Sequence, residues 1–426
     1  MGRRGEGDGL ETIGEGDGLD AIAAGEAVSG PLGAVSGPLQ AKGGPLGAIL
    51  ADAVPRVCAA AVASIAVDGA VVATAAAGEL VRYADAHGNL APERPSANAC
   101  SIFDLASISK LFTTVVLLSL AEEGRLGLDE PVARWIGGTD PRITPRRLLT
   151  HTAGLPPTRR IDRELPGADA ATRMAAMVRT PITHPVGGPY LYSDVGMVMA
   201  GRLAELAGDA PLDELVRARI TDVLGLADTC YRPAAVDRVA AAEFTSDRPA
   251  VVDRVAAAES TPDRPAVVDR VAATEWKADR PGAGQGCVRG EVHDETAYAL
   301  GGVAGHAGVF ATAADLLTFG ETLRRGGEPV LSPAGVAEMT RDQGAKGAPF
   351  RHGLGVRIGD PGLVGPLRDA YGHSGFTGTS LVIDPAHRLT VVLLTNAVHP
   401  VRGRDGIREL RHAVASEALR LVDLTR

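Results

Sequence analysis

Phe103-Asp104-Leu105-Ala106-Ser107-Ile108-Ser109-Lys110 runs directly into Leu111-Phe112-Thr113-Thr114-Val115-Val116-Leu117-Leu118-Ser119-Leu120-Ala121-Glu122-Glu123-Gly124. The second half is largely apolar and stops at a glycine, which predicts a mostly buried helix ending at Gly124. Ser107 and Lys110 stand three residues apart at its start, so the first helical turn brings their side chains together. A serine hydroxyl becomes a good nucleophile only when a nearby base takes its proton. Lysine can do this if its pKa is lowered, whereas arginine stays charged. Lysine occurs only at Lys42, Lys110, Lys277 and Lys346, in a chain with 43 Lys and Arg together. A lysine inside an apolar helix of such an arginine-using chain calls for a chemical reason. The helix start also offers backbone N–H groups to a developing oxyanion.

Outward from this helix, the pattern changes to strands. Val57 to Val67 is small and apolar, Asp68-Gly69 is a two-residue hairpin turn, and Ala70 to Ala77 continues the run. At the far end, Gly353 to Ile358, Thr379 to Asp384 and Leu389 to Thr395 read as strands. Ile407, Leu410, Val414 and Leu421 then fall at helical spacing. The segment between is rich in Pro, Arg and Ala and reads as loops and helices. The simplest packing is an α+β fold: one antiparallel sheet built from both ends of the chain, with helices against it. On this reading residues 46–139 and 331–426 form the sheet domain, and 140–330 is an inserted helical region.

Residues 1–45 read as a disordered, low-complexity tail. GEGDGL occurs at Gly5 to Leu10 and Gly14 to Leu19, and AVSGPL at Ala27 to Leu32 and Ala34 to Leu39. Such segments carry too little apolar surface to offset chain entropy. A second repeat has a period of 16 residues within 236–281. Val236 to Glu243 recurs at Val252 to Glu259 and, with one change at Thr274, at Val268 to Glu275. The Asp-Arg-Pro after each copy breaks a continuous helix, so the copies read as tandem duplication in a surface loop.

Composition narrows the function. The chain has 426 residues and a formal charge of -9, and no basic cluster stands out, which argues against nucleic acid as a main partner. No apolar stretch is long enough to span a membrane. Met1-Gly2-Arg3-Arg4 is followed by no apolar run, so no export signal is evident and a cytoplasmic location is expected. Cys58, Cys100, Cys230 and Cys287 have no Cys-x-x-Cys or zinc spacing and are expected to be reduced thiols. No metal or other cofactor is expected. His151, His293 and His306 lack metal-ligand spacing and, like Arg147 and Asp294, read as structural residues.

Two further segments carry chemistry. Tyr190-Leu191-Tyr192-Ser193-Asp194-Val195-Gly196 precedes an apolar helix, and a Tyr hydroxyl beside a lysine can shuttle a proton. Tyr371-Gly372-His373-Ser374-Gly375-Phe376-Thr377-Gly378-Thr379 enters a strand, with glycines that permit close approach of a ligand. Together, in this order, the three segments resemble the serine β-lactamase and penicillin-binding-protein superfamily. Ser107-Ile108-Ser109-Lys110 matches its Ser-x-x-Lys motif. Tyr192-Ser193-Asp194 looks like the Tyr-x-Asn motif of the class C branch. His373-Ser374-Gly375 looks like Lys-Thr-Gly in the His-x-Gly form of related esterases and peptidases. Leu148 to Leu155, Val292 to Ala297 and Gly301 to Phe310 also resemble this branch. The resemblance runs from about residue 55 to the C-terminus.

The resemblance implies the β-lactamase/DD-peptidase fold and an acyl-enzyme mechanism. Ser107 would attack a carbonyl, with Lys110 and Tyr192 moving the proton. The N–H groups of Ser107 and Phe376 would hold the oxyanion, beside Gly375. Two departures bear on the substrate. Asp194 replaces Asn and would favour the charged form of Lys110. His373 replaces the lysine that engages a substrate carboxylate, and a neutral His is a weaker anchor. No counterpart of the class A deacylating Glu is evident. The departures shift the expectation from antibiotic hydrolysis to a serine hydrolase of small esters or amides. The alternatives are a D-Ala-D-Ala carboxypeptidase or β-lactamase acting on cell-wall peptides or β-lactams, and a catalytically inactive binding protein.

Overall fold

The structure, a computed structural model, describes residues 44–233, 266–280 and 287–425. Its centre is a seven-stranded sheet in the order β2-β1-β10-β9-β8-β7-β6. Strands β1 (Ala60–Val67) and β2 (Ala70–Gly78) are joined by Asp68 and Gly69, both at positive φ. That is the geometry a two-residue hairpin turn needs to match the strand twist. Strand β10 (Leu389–Thr395) pairs antiparallel with β1, from Ala61 opposite Thr395 to Val67 opposite Leu389. The two ends of the chain therefore meet in the middle of one antiparallel sheet, which is the α+β arrangement expected. Strands β9 (Ser380–Asp384), β8 (Tyr371–Ser374), β7 (Arg357–Ile358) and β6 (Arg351–His352) extend it on one side.

Both faces of the central strands are covered, which is why β1 and β10 read as continuous apolar runs. Alternate residues go to opposite layers. Ala61, Ala63, Ile65 and Val67 join one core with Leu389, Val391 and Leu393. Ala60, Val62 and Ala66 join the other with Val392 and Leu394. Helices α1 (Pro45–Ala53) and, at the end of the chain, α5 (Ile407–Thr425) cover the first face. Helix α1 begins at Pro45, a favoured first helical position, one residue inside the expected tail. Residues 1–43, with the tail repeats, lie outside the described residues.

The other face carries the helical layer. Helix α2 (Ser109–Glu122) is buried from Ser109 through Leu120. It packs against α3 (Asp194–Gly208), and α4 (Ala313–Arg324) lies between this layer and strands β1, β9 and β10. Phe112 of α2 and Phe319 of α4 stack with ring centroids 4.3 Å apart. Three short strands, β3 (Phe103–Asp104), β5 (Val309–Ala311) and β4 (Cys230–Tyr231), form a second sheet at the entrance to α2. Gly305 lies against α3 so closely that a Cβ would come within 2.1 Å of the Met197 carbonyl oxygen. Among the described residues, no helix is long and apolar enough to cross a membrane.

The third copy of the 16-residue repeat is part of this body. Val271 bridges to Ile102, and Ala272 and Ala273 are buried. Arg270 pairs with Asp228, at 2.5 Å, and Glu275 pairs with Arg402 and His293. The first two copies, 236–243 and 252–259, lie outside the described residues. A surface-loop reading therefore does not extend to the third copy, whose small apolar residues fill the space beside β3.

Because Phe112 and Phe319 join the α2 layer to the sheet-covering helix, Phe319→Ala is expected to cost about 3–5 kcal/mol of stability. Urea unfolding of the purified chain measures this, and a loss under about 1 kcal/mol would show that the two layers do not depend on the stack.

Candidate active site

Strand β3 delivers the chain into a 3-10 turn, Ala106–Ile108, and then into α2. Ala106 has φ +48°, a conformation that a residue with a Cβ adopts at a cost. The next residue, Ser107, is thereby turned out at the start of the helix. Lys110, one turn on, is completely buried.

The Lys110 ammonium lies among three acceptors. Nζ donates to Ser107 Oγ at 2.8 Å and to the His306 carbonyl at 3.2 Å, and it pairs with Asp194 Oδ1 at 2.9 Å. The first two are hydrogen bonds, and Asp194 Oδ1 takes part as an ion pair. Burial pulls the Lys110 pKa down, but Asp194 and then Tyr192 outweigh it, and the net direction is upward. At neutral pH Lys110 is therefore the charged donor to Ser107. This is the effect of Asp for Asn anticipated from the sequence.

Tyr192 Oη lies 3.2 Å from Ser107 Oγ, with its O–H directed at that oxygen. The residue next to it fixes its place. Ser193 caps α3, its Oγ accepting from Gly196 N and donating to the Pro156 carbonyl, while its N–H donates to His151 Nδ1 at 3.1 Å. The His151 ring lies 4.6 Å from the Tyr192 ring. Asp294 caps the short helix Glu295–Ala299 and holds His306 Nε2 at 2.8 Å. Burial pushes the Asp294 carboxyl upward, but His306, the Ala297 amide and Lys110 overcome this and keep it below the usual range. His151, His306 and Asp294 thus support the residues that carry charge.

The third segment borders the same place. His373 on β8 is fully buried, with Nδ1 bonded to the Ser374 carbonyl at 2.9 Å. Burial, then Arg357 and Lys110, hold its pKa well below the usual value, so the ring is neutral. It lies 6.3 Å from the Tyr192 ring. At Gly375 a Cβ would meet Thr379 Oγ1 at 2.1 Å and the Leu105 carbonyl at 2.5 Å, so only glycine lets this turn approach the Ser107 loop. The Phe376 side chain is 60% exposed and stacks on His293, leaving its backbone as the part available to the site. Among the described residues, no protein acceptor takes the Phe376 or the Ser107 N–H.

Two cations beside His373 escaped sequence reasoning. The Arg357 guanidinium lies 5.4 Å over the Tyr192 ring and 5.4 Å over the Phe350 ring. It donates to Ser374 Oγ at 3.3 Å and pairs with Asp360 at 3.2 Å, while its buried Nε has no partner among the described residues. Arg411, from α5, donates to the Gly375 and Thr379 carbonyls. Burial, then Arg357, pushes its pKa down to about 10. In a chain this rich in arginine, only the pairing of β7 with β8 singles out Arg357.

The Beta-lactamase family profile matches residues 54–416, and the chain belongs to that family. The protein is a serine hydrolase of the β-lactamase and penicillin-binding-protein type. A protein of Escherichia coli (strain K12) described as "Putative D-alanyl-D-alanine carboxypeptidase" is 29% identical over 343 residues, which is 73% of each chain. Among solved structures, EstCE1, a hydrolase with promiscuous acyltransferase activity, superposes with a TM-score of 0.62 at 23% identity, covering 87% of this chain and 97% of its own. The octameric penicillin-binding protein homologue from Pyrococcus abyssi gives 0.60 at 21% identity, covering 87% of this chain and 75% of its own.

Asp194→Asn removes the largest influence that raises the Lys110 pKa and leaves burial to lower it. The alkaline limb of kcat/KM against pH is then expected to move to lower pH. The stability conferred by the ion pair is complete below the ordinary lysine pKa and lost as pH rises through the raised one, so the variant also loses stability at neutral pH. A profile and melting curve that coincide with wild type would overturn this account of the pair.

Proposed function

We propose that the protein hydrolyses small esters or amides through an acyl-enzyme on Ser107. The observation that carries this reading is the placement of Lys110 Nζ and Tyr192 Oη at 2.8 and 3.2 Å from one serine oxygen. Ser107 Oγ bonds to the substrate carbonyl carbon while its proton passes to Tyr192 Oη, whose own proton is handed on toward the leaving group. Lys110, already protonated, donates to Ser107 Oγ and offsets negative charge there. The carbonyl oxygen takes the electron pair and lies between the N–H groups of Ser107 and Phe376. Collapse expels the leaving group, which receives the proton from Tyr192. Water then repeats the sequence on the acyl-enzyme, giving its proton to Tyr192 and releasing the acid and Ser107.

Intact mass after incubation with p-nitrophenyl butyrate and, separately, with a penicillin tests this reading. Ester turnover that Ser107→Ala lowers by at least about 10³-fold supports it. Equal turnover by Ser107→Ala would sink it. A stable penicillin adduct on Ser107 moves the assignment to the cell-wall peptidase class.

A second reading, a carboxypeptidase of peptides ending in D-alanyl-D-alanine, is favoured by Arg357 and by the name of the Escherichia coli relative. With His373 neutral, Arg357 is the cation beside the motif strand suited to a terminal carboxylate. A lost hydrogen bond to a charged group costs about 1.5–3 kcal/mol, so Arg357→Ala is expected to lower kcat/KM for such a peptide by roughly 10- to 100-fold. The neutral butyrate ester should change by less than about 3-fold. Equal losses on both substrates would assign Arg357 to the packing of Tyr192 instead.

A further inference from the structure

Asp104, on β3, is buried and, among the described residues, makes no hydrogen bond to Ser107, Lys110 or Tyr192, yet it is bonded to the Ser107 turn and to the segments that carry His293 and Phe376. It is 2% exposed, and among the described residues no cationic side chain pairs with it. Both of its side-chain oxygens accept backbone N–H groups. Oδ1 takes Ala106 N at 2.8 Å and Oδ2 takes His293 N at 2.7 Å. Its own carbonyl accepts Thr377 Oγ1 at 2.8 Å, and the next carbonyl, Leu105, accepts Thr379 Oγ1 at 3.1 Å. Burial pushes the carboxyl pKa up, and the His293 and Ala106 amides offset this only in part. A buried polar group is costly unless its hydrogen bonds are made, and here both side-chain oxygens are engaged by backbone N–H groups of two separate segments.

Each tie ends beside a group the proposed chemistry needs. Ala106, held at φ +48°, precedes Ser107. Thr377 follows Phe376, whose N–H meets no protein acceptor among the described residues. His293 precedes Asp294, which holds His306, whose carbonyl takes Lys110 Nζ. We infer that Asp104 is a positioning residue for acylation, setting the Ser107 turn, the Phe376 amide and the Lys110 acceptor loop in register. The inference rests on the acyl-enzyme reading and adds to it the element that aligns its parts. Oxyanion donors are worth about 10²–10³ in kcat, and displacement by about 1 Å forfeits much of this.

The test is Asp104→Asn in the full chain. The amide is of nearly equal size, keeps one oxygen acceptor and turns N–H groups toward the second backbone N–H. Expected is a folded protein whose kcat on p-nitrophenyl butyrate falls by about 10²-fold with KM within about 3-fold of wild type. Reaction of Ser107 with a fluorophosphonate, followed by intact mass, should slow in parallel. Leu50→Ala, in α1 against the opposite face of the sheet, serves as a control for lost stability alone and should keep kcat within about 3-fold. An Asp104→Asn protein that loses no more kcat than Leu50→Ala overturns the inference. Should Asp104→Asn not fold, Thr377→Val decides. It removes one tie, and a kcat loss of about 10-fold supports the inference while an unchanged kcat overturns it. Wild-type protein in which Ser107 reacts with neither reagent overturns the acyl-enzyme reading itself. Normal wild-type reaction with an equally reactive Asp104→Asn overturns the positioning role alone.

Discussion

A lysine ammonium with no solvent exposure, set in the first turn of an apolar helix, is the constraint around which the rest of this structure is arranged. Isolated, such a charge would be too costly to bury and the side chain would deprotonate. It stays charged because acceptors arrive from three places in the chain. Ser107 comes from the same turn, Asp194 from the first residue of α3 and the His306 carbonyl from the loop before β5. Two of these, Asp194 and His306, are distant from Lys110 in sequence. The close approach of Gly305 to α3 and the stack of Phe112 on Phe319 then look like consequences of one requirement. The helix that bears Lys110 must be enclosed on all sides without losing any of the three acceptors.

The sheet supplies the remaining partner. Pairing the first strands with the last fixes β10, and through β9 it fixes β8, whose end turns toward the Ser107 loop. Gly375 allows that turn to approach within van der Waals contact, and the threonines at 377 and 379 bond to the carbonyls of Asp104 and Leu105. The Phe376 turn is thus joined to the Ser107 loop by bonds to backbone carbonyls, as the proposed pairing of the Ser107 and Phe376 amides requires. Such bonds do not rearrange when charge develops, and that is the condition under which oxyanion donors are most effective.

How much of this was legible follows from the range of each interaction. Ser107 and Lys110 were readable because helical spacing alone puts them together, and the Asp68-Gly69 hairpin because its signal is two residues long. Asp194 was readable as a departure from a motif, and its electrostatic effect followed from its charge. Arg357 was not, since its meaning comes from a strand pairing between β7 and β8 and nothing local distinguishes it from the chain's other arginines. Asp104 was hidden for a related reason. It stands in the quoted motif, but its bond to His293 spans 189 residues and ends on a backbone amide, which carries no residue signature. The third repeat copy looked like the other two because its sequence is nearly theirs. Its burial depends on Asp228, Ile102 and Arg402, which lie outside the repeat.

The two departures from the family motifs act on the same quantity, the placement of positive charge. In a site with Asn at 194 and Lys at 373, there would be one lysine without a carboxylate partner and a second facing the substrate. Here Asp194 neutralises Lys110, and position 373 holds an uncharged ring. The positive charge that remains lies one strand away and behind the turn, on Arg357 and Arg411, with Asp360 as the nearby carboxylate. Arg357 is also seated between two aromatic faces, which a flexible ammonium would not fill in the same way. On the carboxypeptidase reading, a terminal carboxylate would be met by Arg357 on β7 and not by residue 373, because a guanidinium offers paired N–H donors where the neutral His373 ring offers no charge. On that reading the residue at 373 alone is a poor guide to the substrate.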